Sequence, residues 1–211
     1  MIRVISIERE YGSGAAAIGK ALAERRGWKL WDDEITDTLA RHLKCDKHAV
    51  EEREERDDSV FYKLVKVFMR GSYEASLNSQ SLELLDAEHL SRLFEKVVTD
   101  AADEGNCVIV GRAAPWFLRN REDVFRVFIY APWEEKVRRT IANGKSRREA
   151  EDLVDTVDEQ RSTFIRKYYN KVWPERSVYH LMANSVVGDE KVIRLIEAEI
   201  AMLQEQTQLS I

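Results

Sequence analysis

The junction between the first apolar run and the helix after it constrains the fold more than any other stretch. Ile2 to Glu8 is short and rich in Ile, which reads as a buried strand, and it ends in the loop Arg9-Glu10-Tyr11-Gly12-Ser13-Gly14. Ala15 to Arg26 follows directly with helical spacing: Ile18, Leu22 and several alanines share one side, and Gly27 stands where such a helix stops. A strand handed to a helix through a glycine-rich turn presents backbone N–H groups and a helix N-terminus to whatever lies at that end.

The same alternation returns further along. Trp28 to Trp31 is a second short apolar segment, closed by Asp32-Asp33. Cys107 to Val110 is a third, ending at Gly111-Arg112, with a fourth at Val124 to Tyr130 and a fifth at Val178 to Ala183. Between the last three, Pro132 opens a helix at a favoured first-turn position and Asn143-Gly144 breaks it. Ser146-Arg147-Arg148-Glu149 fits a capping box and starts a long helix to about Tyr169, and Asp189 is placed to cap a final helix through Leu203. The stretch from Asp37 to Asp103 differs: it is mostly helical and carries the charge-dense segment Glu51–Asp58. Val60, Leu64, Val65, Phe68 and Met69 mark one amphipathic helix there, and Leu90, Leu93, Phe94, Val97 and Ala101 another, with a polar loop from Gly71 to Ser81. Five short, largely non-alternating strands interleaved with helices predict an α/β domain: a five-stranded parallel sheet with helices on both faces. The helical excursion after the second strand reads as an insertion into that core.

Composition narrows the function. A net charge of −5 lacks the basic surplus of a nucleic-acid binder, so no nucleic-acid partner is expected. No run approaches ~18 apolar residues and the N-terminus has no signal-peptide pattern, so a soluble, cytoplasmic protein with no membrane partner is expected. Cys45 and Cys107 follow no metal-ligand spacing; Cys107 opens an apolar run and reads as a buried thiol in a reducing compartment.

The glycine-rich loop is either a tight structural turn or a phosphate cradle. The full pattern G-x-x-x-x-G-K-[ST] puts a lysine and a hydroxyl after the last glycine, where this chain has Ala15 and Ala16, and Lys20 is too far into the helix to substitute. In open α/β sheets ligands bind outside the carboxyl ends of the strands, and Glu8-Arg9, Asp32-Asp33 and Gly111-Arg112 each follow a strand directly. Arg112 alone reads as a surface salt bridge and Asp32 alone as a helix cap; together, beside a glycine turn, they suit a phosphorylated ligand. On the long helix, Ala150, Val154, Val157, Phe164, Ile165 and Tyr168 share one arc, with Arg161 inside it and Asp158 at its edge. An inward arginine needs a partner, either Asp158 in a structural ion pair or a ligand phosphate or base edge. Arg138, Arg139, Arg147 and Arg148 crowd the same region.

These residues resemble the cytidylate kinase-like family over nearly the whole chain. The resemblance rests on Ile5 to Gly14, Trp31-Asp32-Asp33-Glu34-Ile35, Cys107 to Arg112, Val127-Phe128-Ile129-Tyr130-Ala131-Pro132 and Asp158-Glu159-Gln160-Arg161. It implies a three-layer P-loop kinase fold with a core at about 1–38, 104–138 and 174–205, a helical monophosphate-binding insertion at about 39–103 and a helical lid at about 139–173. It implies ATP and magnesium, bound at Tyr11, Gly12, Ser13, Gly14, Ala15 and Ala16, and a CMP-like nucleotide acceptor touching Asp33, Arg112, Asp158 and Arg161. By position, Arg112 looks like the arginine that holds the acceptor's phosphate, Asp158 and Arg161 like the pair on cytidine monophosphate, and Asp32 like the acidic residue near acceptor and metal. The acceptor-site arginine expected one turn after Asp32 is replaced by the neighbourhood of Thr36 and Thr38. Catalysis would then fall to Arg9, Asp32, Arg112 and Arg161, with Arg9 the candidate to replace the loop lysine, in a monomer or homodimer. Two other readings stand beside this one: a nucleotide-binding protein without catalysis, and a kinase of a non-nucleotide small molecule.

Overall fold

The computed structural model describes residues 1–32 and 87–209. The helix expected over Val60–Met69, the loop at Gly71–Ser81, Asp33, Thr36 and Thr38 lie outside the described residues. The chain runs β1 (Val4–Arg9), α1 (Ala15–Arg26), β2 (Lys29–Trp31), α2 (Ala87–Glu104), β3 (Cys107–Val110) and the short α3 (Ala114–Phe117). It continues with β4 (Val124–Tyr130), α4 (Trp133–Ala142), α5 (Arg147–Tyr169), β5 (Leu181–Asn184) and α6 (Asp189–Leu209). The five strands form one sheet in the order β2-β3-β1-β4-β5, and every neighbouring pair is parallel. The chain therefore fills one side of β1 before crossing to the other, so the C-terminal end of β1 lies where ligands bind in open α/β sheets.

Both faces of the sheet are covered, which is why its strands are mostly apolar rather than alternating. On one face Val4, Ile109 and Val124 pack against Phe94, Val97, Val98 and Ala101 of α2 and Ile165 of α5. On the other, Ile5, Ile7, Val108, Val110, Phe125, Val127 and Ile129 meet Ile18 and Leu22 of α1 and Val192, Ile193, Ile196 and Ile200 of α6. A third cluster joins Val137 of α4 to Ala150 and Val154 of α5, with Tyr11 of the glycine loop against it. The loop is thus packed onto the helix pair that follows β4.

Most element ends fall where the sequence puts them, and the capping box on α5 is complete: the Ser146 side chain accepts from the Glu149 N–H, and Glu149 accepts from the Ser146 N–H. Several boundaries differ: the first strand begins at Val4 rather than Ile2, the second at Lys29 rather than Trp28, and Pro132 caps α4, which begins at Trp133. The first strand runs one residue further, through Arg9, because Arg9 keeps its parallel pairing with Ile129. The fifth strand starts at Leu181 rather than Val178, because the Val178 carbonyl accepts from Arg126 Nε at 2.8 Å and residues Arg176–Val178 form a 3-10 turn. The last helix continues past Leu203 to Leu209, its extension built from good helix formers with no stop signal. Asp189 is the first residue of α6, and its carboxylate lies 2.7 Å from Arg139 Nη2.

Candidate active site

Gly12 and Gly14 hold φ of +75° and +83°, left-handed values that residues with a Cβ resist. Both also face occupied space. A Cβ on Gly12 would sit 2.9 Å from the Lys136 carbonyl oxygen and 3.0 Å from Thr140 Oγ1, and one on Gly14 would run into Arg139 Nη1. The turn is held from below: the Glu10 N–H donates to Ile129 O at 3.0 Å, and Ser185 Oγ donates to Ser13 O at 2.6 Å. At its exit α1 begins, with first-turn N–H groups that have no intrahelical acceptor and the positive end of the helix dipole. Ala15 is buried in the apolar cluster under α1 and Lys20 is exposed beside Glu24. The loop therefore fits a phosphate group through its backbone, while its own side chains supply no cation at the helix start.

Charged side chains gather beside it, at the C-terminal ends of the strands. Glu8, on β1, is 3% exposed and accepts from the Arg9 N–H at 3.0 Å. Burial pushes its carboxyl up, opposed by the charges of Arg161, Arg9 and Arg112. Arg9 is buried, lies against Gly111, and has Nη2 3.9 Å from Asp32 Oδ1 at the end of β2. Arg112 is 1% exposed and stands at φ +59°, a left-handed turn straight after β3 that carries its side chain inward. Arg161, 3% exposed, reaches in from α5 and donates through Nη1 to Arg9 O and to Asp158 Oδ1, both at 3.1 Å. Asp158 Oδ1 also accepts the Tyr11 N–H at 2.8 Å, so the long helix is bonded to the glycine loop itself. Burial likewise raises the Asp158 carboxyl, against Arg161 and the Tyr11 N–H. Two buried carboxyls driven upward among converging arginines are a pattern that marks functional sites.

The residues singled out in the sequence are thereby brought together, apart from Asp33. Arg161 is ion-paired with Asp158, the first of its two alternatives, and lies within electrostatic reach of Arg9 and Glu8. Of the basic residues on α4 and α5, Arg138 and Arg147 are solvated, whereas Arg139 lies inward, held by Glu135 at 2.7 Å and Asp189 at 2.7 Å. The sequence reading missed Glu10 and Lys136. Lys136 Nζ lies 3.1 Å from Glu10 Oε2 and 3.4 Å from Asp158 Oδ2, at the mouth of the loop. The sequence holds no local signal for this pair: the sheet order, which sets β4 beside β1, brings the first turn of the helix after β4 over the loop after β1. Beside Glu8 lies a small recess, partly open to solvent, walled by Pro115, Trp116, Lys171, Trp173 and Tyr179.

A model of the cytidylate kinase-like family matches residues 4–186. The chain belongs to that family. Its fold is that of the P-loop kinases, as solved structures bear out. An uncharacterized protein from Eubacterium ventriosum is 20% identical, with 94% of this chain and 99% of that one covered and a TM-score of 0.61. A gluconokinase from Sinorhizobium meliloti is 15% identical, with 99% and 97% covered and a TM-score of 0.59. No curated protein matches the sequence. In this cytidylate kinase-like chain, no helix among the described residues is long and apolar enough to cross a membrane.

Proposed function

We propose that this chain is a nucleoside monophosphate kinase-like phosphotransferase that moves the γ-phosphoryl group of ATP to a cytidylate-type acceptor. The observation that carries the reading is the convergence of three buried guanidinium groups, those of Arg9, Arg112 and Arg161, on Glu8 at the end of β1, next to a glycine turn. Three buried cations are costly to keep, and a site that must gather phosphate charge accounts for them. Bound ATP with magnesium supplies the phosphoryl group and offsets part of its charge. The chain's own residues do the rest. The N–H groups of Gly12 and of Gly14 to Ala16 cradle donor phosphates beside Tyr11 and Ser13, Arg112 and Arg161 hold the acceptor's phosphate and the charge developing between the two, and Asp32 stands toward acceptor and metal. Asp158, fixed to the loop through Tyr11, keeps the arginine of the long helix over the site. Asp33 belongs to the acceptor side in this reading.

A second reading, nucleotide binding without catalysis, is favoured by one feature: Ala15 and Ala16 stand where a lysine and a hydroxyl complete the loop. A coupled phosphorylation assay across nucleoside monophosphates and small polyols, beside calorimetric binding of ATP and cytidine monophosphate, separates the two. Turnover with cytidine or deoxycytidine monophosphate is expected, with Arg112→Ala lowering kcat/KM by at least about 100-fold. Binding without turnover of any acceptor selects the second reading, and turnover of a polyol alone replaces the acceptor assignment.

A further inference from the structure

We propose that Lys136, on α4, is the cation of the phosphate site, doing from a neighbouring helix what the loop leaves undone at Ala15. This rests on the reading of the loop as a phosphate cradle. The α4 backbone is seated directly on the turn: the space a side chain at Gly12 would need is taken by the Lys136 carbonyl oxygen at 2.9 Å and its Cβ at 3.1 Å. From there the side chain, 12% exposed, brings Nζ to Glu10 Oε2 at 3.1 Å and Asp158 Oδ2 at 3.4 Å. The other oxygen of Asp158 takes the Tyr11 N–H at 2.8 Å and Arg161 Nη1 at 3.1 Å. One carboxylate is therefore held by a loop amide, an ammonium and a guanidinium. That donor set suits a phosphate equally well, and Lys136 stands beside the loop at Gly12, where a phosphate seated on the following amides would meet it.

The other nearby cations, paired with carboxylates as Lys136 is, are held to different partners. Arg9 lies against Gly111 and points toward Asp32, on the β3 side of the loop. Arg139 is fastened by Glu135, Asp189 and the Ser185 carbonyl. Nor does the packing of α4 on α5 call for a buried ammonium: Val137, Ala150, Val154 and Tyr11 pack together, and Trp133 Nε1 donates to Asp155 at 2.7 Å. A partly buried ion pair adds little net stability over apolar packing, so its presence here points to the charge itself. Glu10 serves as the tether, since it also accepts the Ala131 N–H at 3.4 Å and so holds Nζ beside the loop.

The test is calorimetric binding of magnesium-ATP and of AMP to the wild-type chain, Lys136→Ala and Lys136→Arg, with melting curves to verify folding. Lys136→Ala is expected to weaken ATP by about 10- to 100-fold, the range for one charge-assisted hydrogen bond, and to leave AMP within about twofold. Lys136→Arg should restore most of the ATP affinity. If Lys136→Ala does not fold, Lys136→Gln, which keeps a donor to Glu10 without the charge, carries the same expectation. ATP binding unchanged by the loss of the charge overturns the assignment, as does an equal loss for ATP and AMP, which marks a purely structural lysine. A wild-type chain that binds no ATP sinks the phosphate-cradle reading itself, an outcome distinct from either.

Discussion

At Gly14 two constraints coincide: a left-handed backbone and the Arg139 guanidinium lying where a side chain would begin. Gly14→Ala would meet both at once. We expect it to lower stability by about 1–2 kcal/mol, from the left-handed conformation alone, and to weaken ATP binding as the loop backbone shifts; denaturant melts beside calorimetry measure both. The two glycines were legible as a turn from their spacing. What occupies their side-chain space was not, because Lys136 and Arg139 lie more than a hundred residues away in sequence. Cys107 is the opposite case. Its place at the head of an apolar run announced burial, and burial indeed pushes the thiol up to about 12, leaving it a small apolar filler under α2. Arg112 lies between these cases: its position after a strand was readable, but its left-handed turn inward depends on the packing around Gly111.

Among the elements, α5 carries the most function per residue, since Asp158 and Arg161 sit on it side by side and both reach the loop. Its N-terminus is held by the reciprocal bonds of Ser146 and Glu149. Ser146→Ala removes one acceptor from the first turn and should cost about 1 kcal/mol, read as a lower melting midpoint with unchanged denaturant slope. A combined Ser146→Ala, Glu149→Ala variant should lose less than the sum of the two, because each bond depends on the other. The pattern Ser-x-x-Glu before an apolar period made this element readable to the residue. The fifth strand was less so: the apolar residues Val178 to Ala183 carry no mark of where pairing begins. That boundary is decided by Arg126, which takes the Val178 carbonyl and leaves the ladder to start at His180 and Leu181.

Over the whole molecule, acid stability should depend on how α4 is fastened to the loop. Glu135 binds Arg138 and Arg139, and these hydrogen bonds hold its carboxyl down to about 2 against a usual 4.5. A carboxyl with a depressed folded-state value contributes stability that is complete above 4.5 and lost as pH falls toward 2. Melting midpoints followed over that window should decline, and Glu135→Gln should flatten the decline, at no more than about 1 kcal/mol because solvent screens partly exposed pairs. Arg139 would be loosened from Gly14 in the same window. The sequence by itself determined the architecture, because a parallel sheet buried on both faces demands short apolar strands with helices between them, and that alternation is a local pattern. It also determined which strand ends carry charge, since Glu8, Arg9, Asp32 and Arg112 stand at or just past the ends of theirs. Only the tertiary structure decided the cation at the glycine loop. Strand order sets β4 beside β1, and with it the helix that brings Lys136 over Gly12, and contacts made by sheet neighbours distant in the chain leave no period or spacing to read.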